Sequence, residues 1–177
     1  SLRAFNIAGG QDLRLGYGAS PNIVLKIASA GLTFSVDNTH DIGASGATRP
    51  RHYYGSGLIT SAGQTNGIGY ATGAGGTVTQ ITSRSTGVTL NKVTGQITTT
   101  ADSLAAITIV SFVVTNSTVA ATDNVIPTKV SGDADTSCWV SAVAAGSFTV
   151  SLRNNDAVSA DTTAFVFNFA VIKGVTS

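Results

Sequence analysis

Two histidines, one cysteine and nine acidic residues are the groups from which any reactive centre in this 177-residue chain would be built. All nine acids are aspartates, at positions 12, 37, 41, 102, 123, 133, 135, 156 and 161. A metal site needs ligands at spacings that let them converge, and the chain has no H-x-H, C-x-x-C or H-E-x-x-H around His40, His52 or Cys138. Asp37, Asn38 and Asp41 offer oxygen ligands in one loop, as Asp133 and Asp135 do in another, but neither loop has the terminal Glu of an EF-hand. Asx turns account for both, because Asn and Asp side chains bond to backbone two residues on. No metal and no cofactor are therefore expected, although a trimer could gather three copies of one histidine on its axis.

Nucleophilic catalysis has little to work with. No G-x-S-x-G elbow is present, and the G-x-G runs at Gly16, Gly55 and Gly67 lack the strand-to-helix setting that cradles phosphate. A glycosidase requires just two carboxyl groups about 5–9.5 Å apart, a condition that the aspartates alone do not exclude. The expectation is a protein that is not an enzyme. The sequon Asn116-Ser117-Thr118 is read as a chance match in a Ser/Thr-rich chain. Arg49, Arg51, His52, Tyr53 and Tyr54 could make a sugar-binding or cation-π patch; the alternative is an Arg-Pro bend anchored by a buried tyrosine.

Composition limits the partners. Charged residues are 11% of the chain, far below the ~25% usual for soluble domains, and the net charge is +1. That leaves no basic footprint for phosphate, so nucleic acid is not an expected partner. A single cysteine makes no intrachain disulfide; Cys138 reads as a small hydrophobe beside Trp139. No secretory signal pattern opens the sequence, and no apolar run approaches the ~20 residues of a membrane span.

The elements that must position these groups read as strands throughout. With no Glu and no Met but much Thr, Val, Ile and Gly, helix drive is low and strand drive high. Residues 1–70 give short period-two segments, among them LRAFNI, DLRLGY, NIVLKI and LTFSV, each carrying a narrow apolar stripe. One copy is poorly able to bury such stripes; threefold association would turn them inward and cover the free edges. The Gly-rich stretch between Ser61 and Gly76 reads either as a flexible link or as an extended strand held between subunits.

Residues 71–177 form the second expected domain, with strands at 77–82, 87–92, 95–100, 106–115, 124–130, 137–143, 146–154 and 163–173. Phe148, Val150 and Leu152 should face one way, as should Phe165, Phe167, Phe169 and Val171, with Phe112 joining the core. Spacings of roughly 8–12 residues with Asn, Asp and Gly turns argue for an antiparallel, jelly-roll-like sandwich.

Two stretches resemble known phage proteins. Asp41, Ile42, Gly43, Arg49, Arg51 and Tyr54 match an element that recurs in bacteriophage tail fibres and tailspikes, with Pro50 where many relatives carry Trp. Thr79-Gln80, Ser83 to Gly87, Thr94 to Ile97, Thr115-Asn116, Ala121 to Asp123, Gly146-Ser147-Phe148, Arg153-Asn154-Asn155 and Asn168 to Lys173 resemble a C-terminal domain of phage and prophage fibres. The resemblance implies the distal part of a virion tail fibre: a homotrimer with a short shaft and a β-sandwich tip. Its implied partners are a host cell-surface glycan or outer-membrane receptor and other virion tail proteins. The alternatives are the C-terminal trimerisation piece of a capsular polysaccharide depolymerase, or a head or baseplate decoration protein. Sheet scaffolds leave recognition to loops, so Asp133, Asp135, Asn154, Asn155 and Asp156 are the expected receptor contacts. Arg49, Pro50, Arg51 and Tyr54 are expected to hold the trimer.

Overall fold

The computed structural model describes residues 13–16, 23–28, 31–33 and 67–175. The chain divides into two compact units, Ser1–Thr60 and Ser61–Ser177. Every regular element among the described residues is a strand. In the first unit, β1 (Leu13–Gly16), β2 (Ile23–Ala28) and β3 (Gly31–Thr33) make an antiparallel sheet in the order β1-β2-β3. These are three of the short strands expected from the period-two pattern. The fourth, LRAFNI, lies outside the described residues, as do His40, Arg49, Pro50, Arg51, His52 and Tyr54.

Among its described residues the second unit holds eight strands, one for each expected apolar segment. They are β4 (Thr77–Thr79), β5 (Val88–Thr89), β6 (Thr94–Thr98), β7 (Ile109–Thr115), β8 (Asn124–Ser131), β9 (Thr136–Ala144), β10 (Ser147–Asn154) and β11 (Val166–Ile172). They form two four-stranded sheets, β5-β7-β10-β9 and β4-β6-β11-β8. Residues 67–76 before them contain no strand and include a turn closed by the Ala74 N–H on the Ala71 carbonyl.

The sheets are mixed, which corrects the expected antiparallel arrangement. β4 pairs with β6 in parallel, and so does β5 with β7. The cause is the route of the chain: it crosses from one sheet to the other at each step from β4 to β7. Two successive crossings reverse direction twice and return a strand parallel to the one it left. Period-two alternation records which face a side chain takes but carries no information on strand direction. Where a two-residue turn closes β9 onto β10, with Gly146 at a φ of 82°, the pairing is antiparallel.

Both sheets turn their apolar faces inward on one core. Phe112, Phe148, Val150, Leu152, Phe165, Phe167, Phe169 and Val171 are all buried, as the alternation demands. Rings meet across the layers, with Phe112 and Phe167 centroids 6.4 Å apart and Phe148 and Phe169 5.3 Å apart, both tilted. Such pairs add about 0.5–1.5 kcal/mol to the burial of their area. Gly132 shows how closely the connections pack: its φ is +122°, and a Cβ there would lie 3.0 Å from both Cα and Cδ2 of Phe165.

Candidate functional site

At one end of the sandwich the loops 81–87, 99–108, 131–136 and 154–164 converge, and Asp161 ties them together. Its carboxylate accepts from the Thr163 N–H at 2.8 Å, the Thr163 hydroxyl at 2.9 Å and the Thr136 hydroxyl at 2.8 Å. Its backbone exchanges two hydrogen bonds with Leu104. The Arg84 guanidinium lies 3.2 Å from the carboxylate, with side-chain exposures of 2% and 0% for the pair. Arg84 also donates to the carbonyls of Asp102 and Thr163, at 2.6 and 2.7 Å. Burial pushes the Asp161 carboxyl up, but the Thr163 N–H, the Thr136 and Thr163 hydroxyls and the Arg84 charge outweigh it and hold the pKa below the ordinary value.

On this base sit the five expected receptor contacts. Asn155 is exposed, and its amide donates to the Asp135 carbonyl at 2.7 Å and to the Ser137 hydroxyl at 3.1 Å, while its N–H donates to the same carbonyl at 3.0 Å. The loops 132–137 and 154–161, twenty residues apart in sequence, are thus brought side by side. Asp133 caps its own turn by accepting from the Asp135 N–H at 2.9 Å. Asp156 does the same for Val158 and Ser159, at 2.7 and 3.0 Å, and the Ser159 and Val158 N–H groups lower its pKa. The turn at Asp133 is the Asx turn the sequence implied; the one at Asp156 was not foreseen.

Asn154 is placed differently. It is 1% exposed, and its amide donates to the Leu104 and Ser159 carbonyls while its carbonyl oxygen accepts from the Asp156 N–H. From that position it holds the 154–159 loop from inside and is not part of the exposed surface. Lys129 secures the neighbouring turn, donating to the Asp133, Ala134 and Thr136 carbonyls and lying 5.2 Å from the Phe165 ring centroid. Ile107, on the adjoining 105–108 turn, has a φ of 57°, a conformation that is an outlier for a β-branched residue. Its N–H donates to the Asp156 carbonyl, which fixes it against the same loop.

The polar surface left at this end consists of the exposed Asp135, Asn155, Ser159 and Thr162 with the half-exposed Asp133 and Asp156. The carboxylates of Asp133, Asp135 and Asp156 lie on it, with the cations Lys129 and the exposed Arg153 beside them. Among the described residues no group of three His, Cys, Asp or Glu gathers in metal-binding geometry. Cys138 is half-buried against the core, and burial pushes its thiol up. Comparison of the chain with protein-family models, with curated proteins and with solved structures gave no match.

The Arg84–Asp161 pair and the role of Asn154 were not foreseen. Arg84 is the one cation of the Ser83–Gly87 stretch, a signal that a charge was to be anchored there, but its partner lies 77 residues away. The sequon is resolved in the same way: Asn116 is fully buried, with its amide donating to the Lys92 carbonyl at 2.7 Å and its oxygen accepting from the Thr118 N–H and hydroxyl.

Proposed function

We propose that this chain is the distal part of a bacteriophage tail fibre, a homotrimeric virion protein that attaches the particle to its host. The loop end of the sandwich meets a cell-surface glycan or outer-membrane receptor and performs no catalysis. The observation that carries the reading is the union of the loops 132–137 and 154–161 through Asn155. It puts Asp133, Asp135, Asn155 and Asp156 on one surface, built on a rigid buried base.

Weakly charged loops with fixed carboxylates and amides suit hydroxyl-rich ligands, for which hydrogen bonds decide specificity and net charge does little. The low charge of the whole chain agrees with this. The jelly-roll-like description of the tip goes with the reading and is supported by eight strands divided four and four. The parallel pairs β4–β6 and β5–β7 depart from it. The trimer rests on the sequence alone, through the narrow apolar stripes of residues 1–70 and the Arg49, Pro50, Arg51 and Tyr54 element.

The test exchanges the loops 132–137 and 154–161 for unrelated sequences of equal length. Binding to host cells should fall while light scattering still gives three chain masses. Tyr54→Ala should instead impair assembly. Loop-exchanged trimers that bind host cells as the wild type does would overturn the reading.

A further inference from the structure

Among the described residues, four strands end the two sheets of the second unit, and β9 is the one left open. β4 and β5 are three and two residues long, and β8 carries Pro127, which has no N–H, followed by Lys129. β9 has nine residues, TSCWVSAVA, with no charge, proline or glycine. Short strands, lysine and proline are the usual means of keeping an edge from pairing with another strand. The one such device within β9 is a bulge after Val140, where Val150 faces Val140 but Thr149 faces Ala142.

Along a strand each residue points its N–H and C=O to the same side, and successive residues alternate. Thr136 points away from β10: its N–H donates to the Asp133 carbonyl, and its carbonyl accepts from the Lys129 ammonium at 3.1 Å. Cys138 and Val140 follow at alternate positions and point the same way. The far side of the sheet gives the same answer. The Thr115 carbonyl accepts from the Leu90 N–H, so β7 bonds β10 through Val110, Phe112 and Val114, which leaves Ser151 and Arg153 to bond Trp139 and Ser137. Among the described residues the N–H and C=O of Cys138 and Val140 therefore have no backbone partner. Their side chains pack against the core, while Trp139 between them lies on the outer face, 37% exposed.

We propose that β9 pairs with β9 of a second copy of this chain, antiparallel about a two-fold axis at Trp139. The edge is its own complement in that register. Cys138 stands opposite Val140 of the second copy and Val140 opposite its Cys138, and each of these pairs exchanges two N–H···O=C bonds. The two Trp139 side chains meet on the outer face at the non-hydrogen-bonded position, where Cα atoms are about 4.5 Å apart and side chains lie closest. Centring on Cys138 would call on Thr136, whose groups are taken, and centring beyond Val140 would cross the bulge. No charge opposes another along the pair. The two Lys129 ammoniums, each on its own Thr136 carbonyl, stand about 20 Å apart at ~3.4 Å per residue, beyond the ~8 Å screening length. A contact about 20 Å long across two layers and their outer side chains covers on the order of 1,000 Å² in total, the lower bound of a specific interface. The association is therefore reversible rather than permanent.

The pairing does not depend on the trimer: it joins two trimers if the chain is trimeric and two chains if it is not. The test is light scattering on the full chain at about 100 μM, far above a micromolar dissociation constant. Trp139→Lys sets like charges directly opposite each other and should halve the assembly mass, whatever its starting value. The starting value, six chain masses or two, judges the trimer separately. A second measurement reads the register without that variant. In a Cys138→Ser background, Trp139→Cys should cross-link to its own copy under mild oxidation, because its Cα separation falls within the about 4.4–6.8 Å of a disulfide. Ser137→Cys, about 14 Å from its own counterpart, should not. An unchanged mass in Trp139→Lys overturns the proposal, as does cross-linking at Ser137→Cys in preference to Trp139→Cys. A wild type that keeps the variant's mass at every concentration overturns it too, and leaves the edge to a foreign strand.

Discussion

Among the described residues the two ends of the sandwich each hold one aspartate–cation pair, and they are built to different plans. At the loop end Arg84 and Asp161 are both buried: the carboxylate accepts from backbone and hydroxyl donors, and the guanidinium donates to carbonyls through Nε and Nη2 while Nη1 faces the carboxylate as an ion pair. At the other end Asp123 is buried at 1% exposure, but Lys173 is 59% exposed. Asp123 accepts from the Ala120 N–H at 2.8 Å and the Gly174 N–H at 3.1 Å, while Lys173 reaches it from solvent at 2.5 Å and also bonds the Thr118 carbonyl. The first pair organises four loops, and the second ties the 118–123 turn to the residues that follow β11. An ion pair that is enclosed is structural because removing one partner strands the other in a low dielectric; one open to water is replaced by water at little cost.

The largest effect that would break this comparison is Arg84→Ala. It leaves the Asp161 carboxylate buried without its cation and should destabilise the domain by about 3–5 kcal/mol in denaturant unfolding. Phe167→Ala in the core between the ends should cost a similar amount, about 3–5 kcal/mol, and so calibrates the loop-end pair against packing. A neutral Arg84→Ala would show that the loop end does not depend on its buried charge.

Acid comes next. Asp102, Asp123, Asp156 and Asp161 all have pKa values lowered by folding, for Asp123 chiefly through the Ala120 N–H and the Lys173 ammonium and for Asp102 through the Thr100 hydroxyl. A carboxylate whose folded pKa is depressed contributes its stability fully above the unfolded value of about 3.9 and loses it as pH falls through the folded value. The melting temperature should therefore be flat from neutrality to about pH 5 and fall below about pH 4. Asp161→Asn should shallow that fall; an unchanged acid limb would remove Asp161 from the account.

Lys173→Ala should cost only about 0.2–1 kcal/mol, since Asp123 keeps its two N–H donors and regains water. A loss as large as that of Arg84→Ala would erase the distinction between the ends. The smallest expected effect is a gain. Ile107→Asn places a residue that tolerates φ > 0 at an exposed, strained position and should raise stability by up to about 1 kcal/mol in the same unfolding assay.

The sequence by itself determined that residues 77–173 hold eight strand segments and which of their large apolar side chains go inside. Phe165, Phe167, Phe169 and Val171 alternate with Val166, Asn168 and Ala170, and a period of two has only one burial solution when one face is apolar. It also determined the Asx turn at Asp133, because a side chain bonding two residues ahead is a local event. Tertiary structure decided what local pattern does not encode. The crossing of the chain between sheets made β4–β6 and β5–β7 parallel. Contacts across 77 residues for Arg84 with Asp161 and 50 for Asn154 with Leu104 turned two ordinary loop residues into buried supports. Their partners are chosen by which loops the two sheets bring to one end, a long-range outcome that no window of sequence contains.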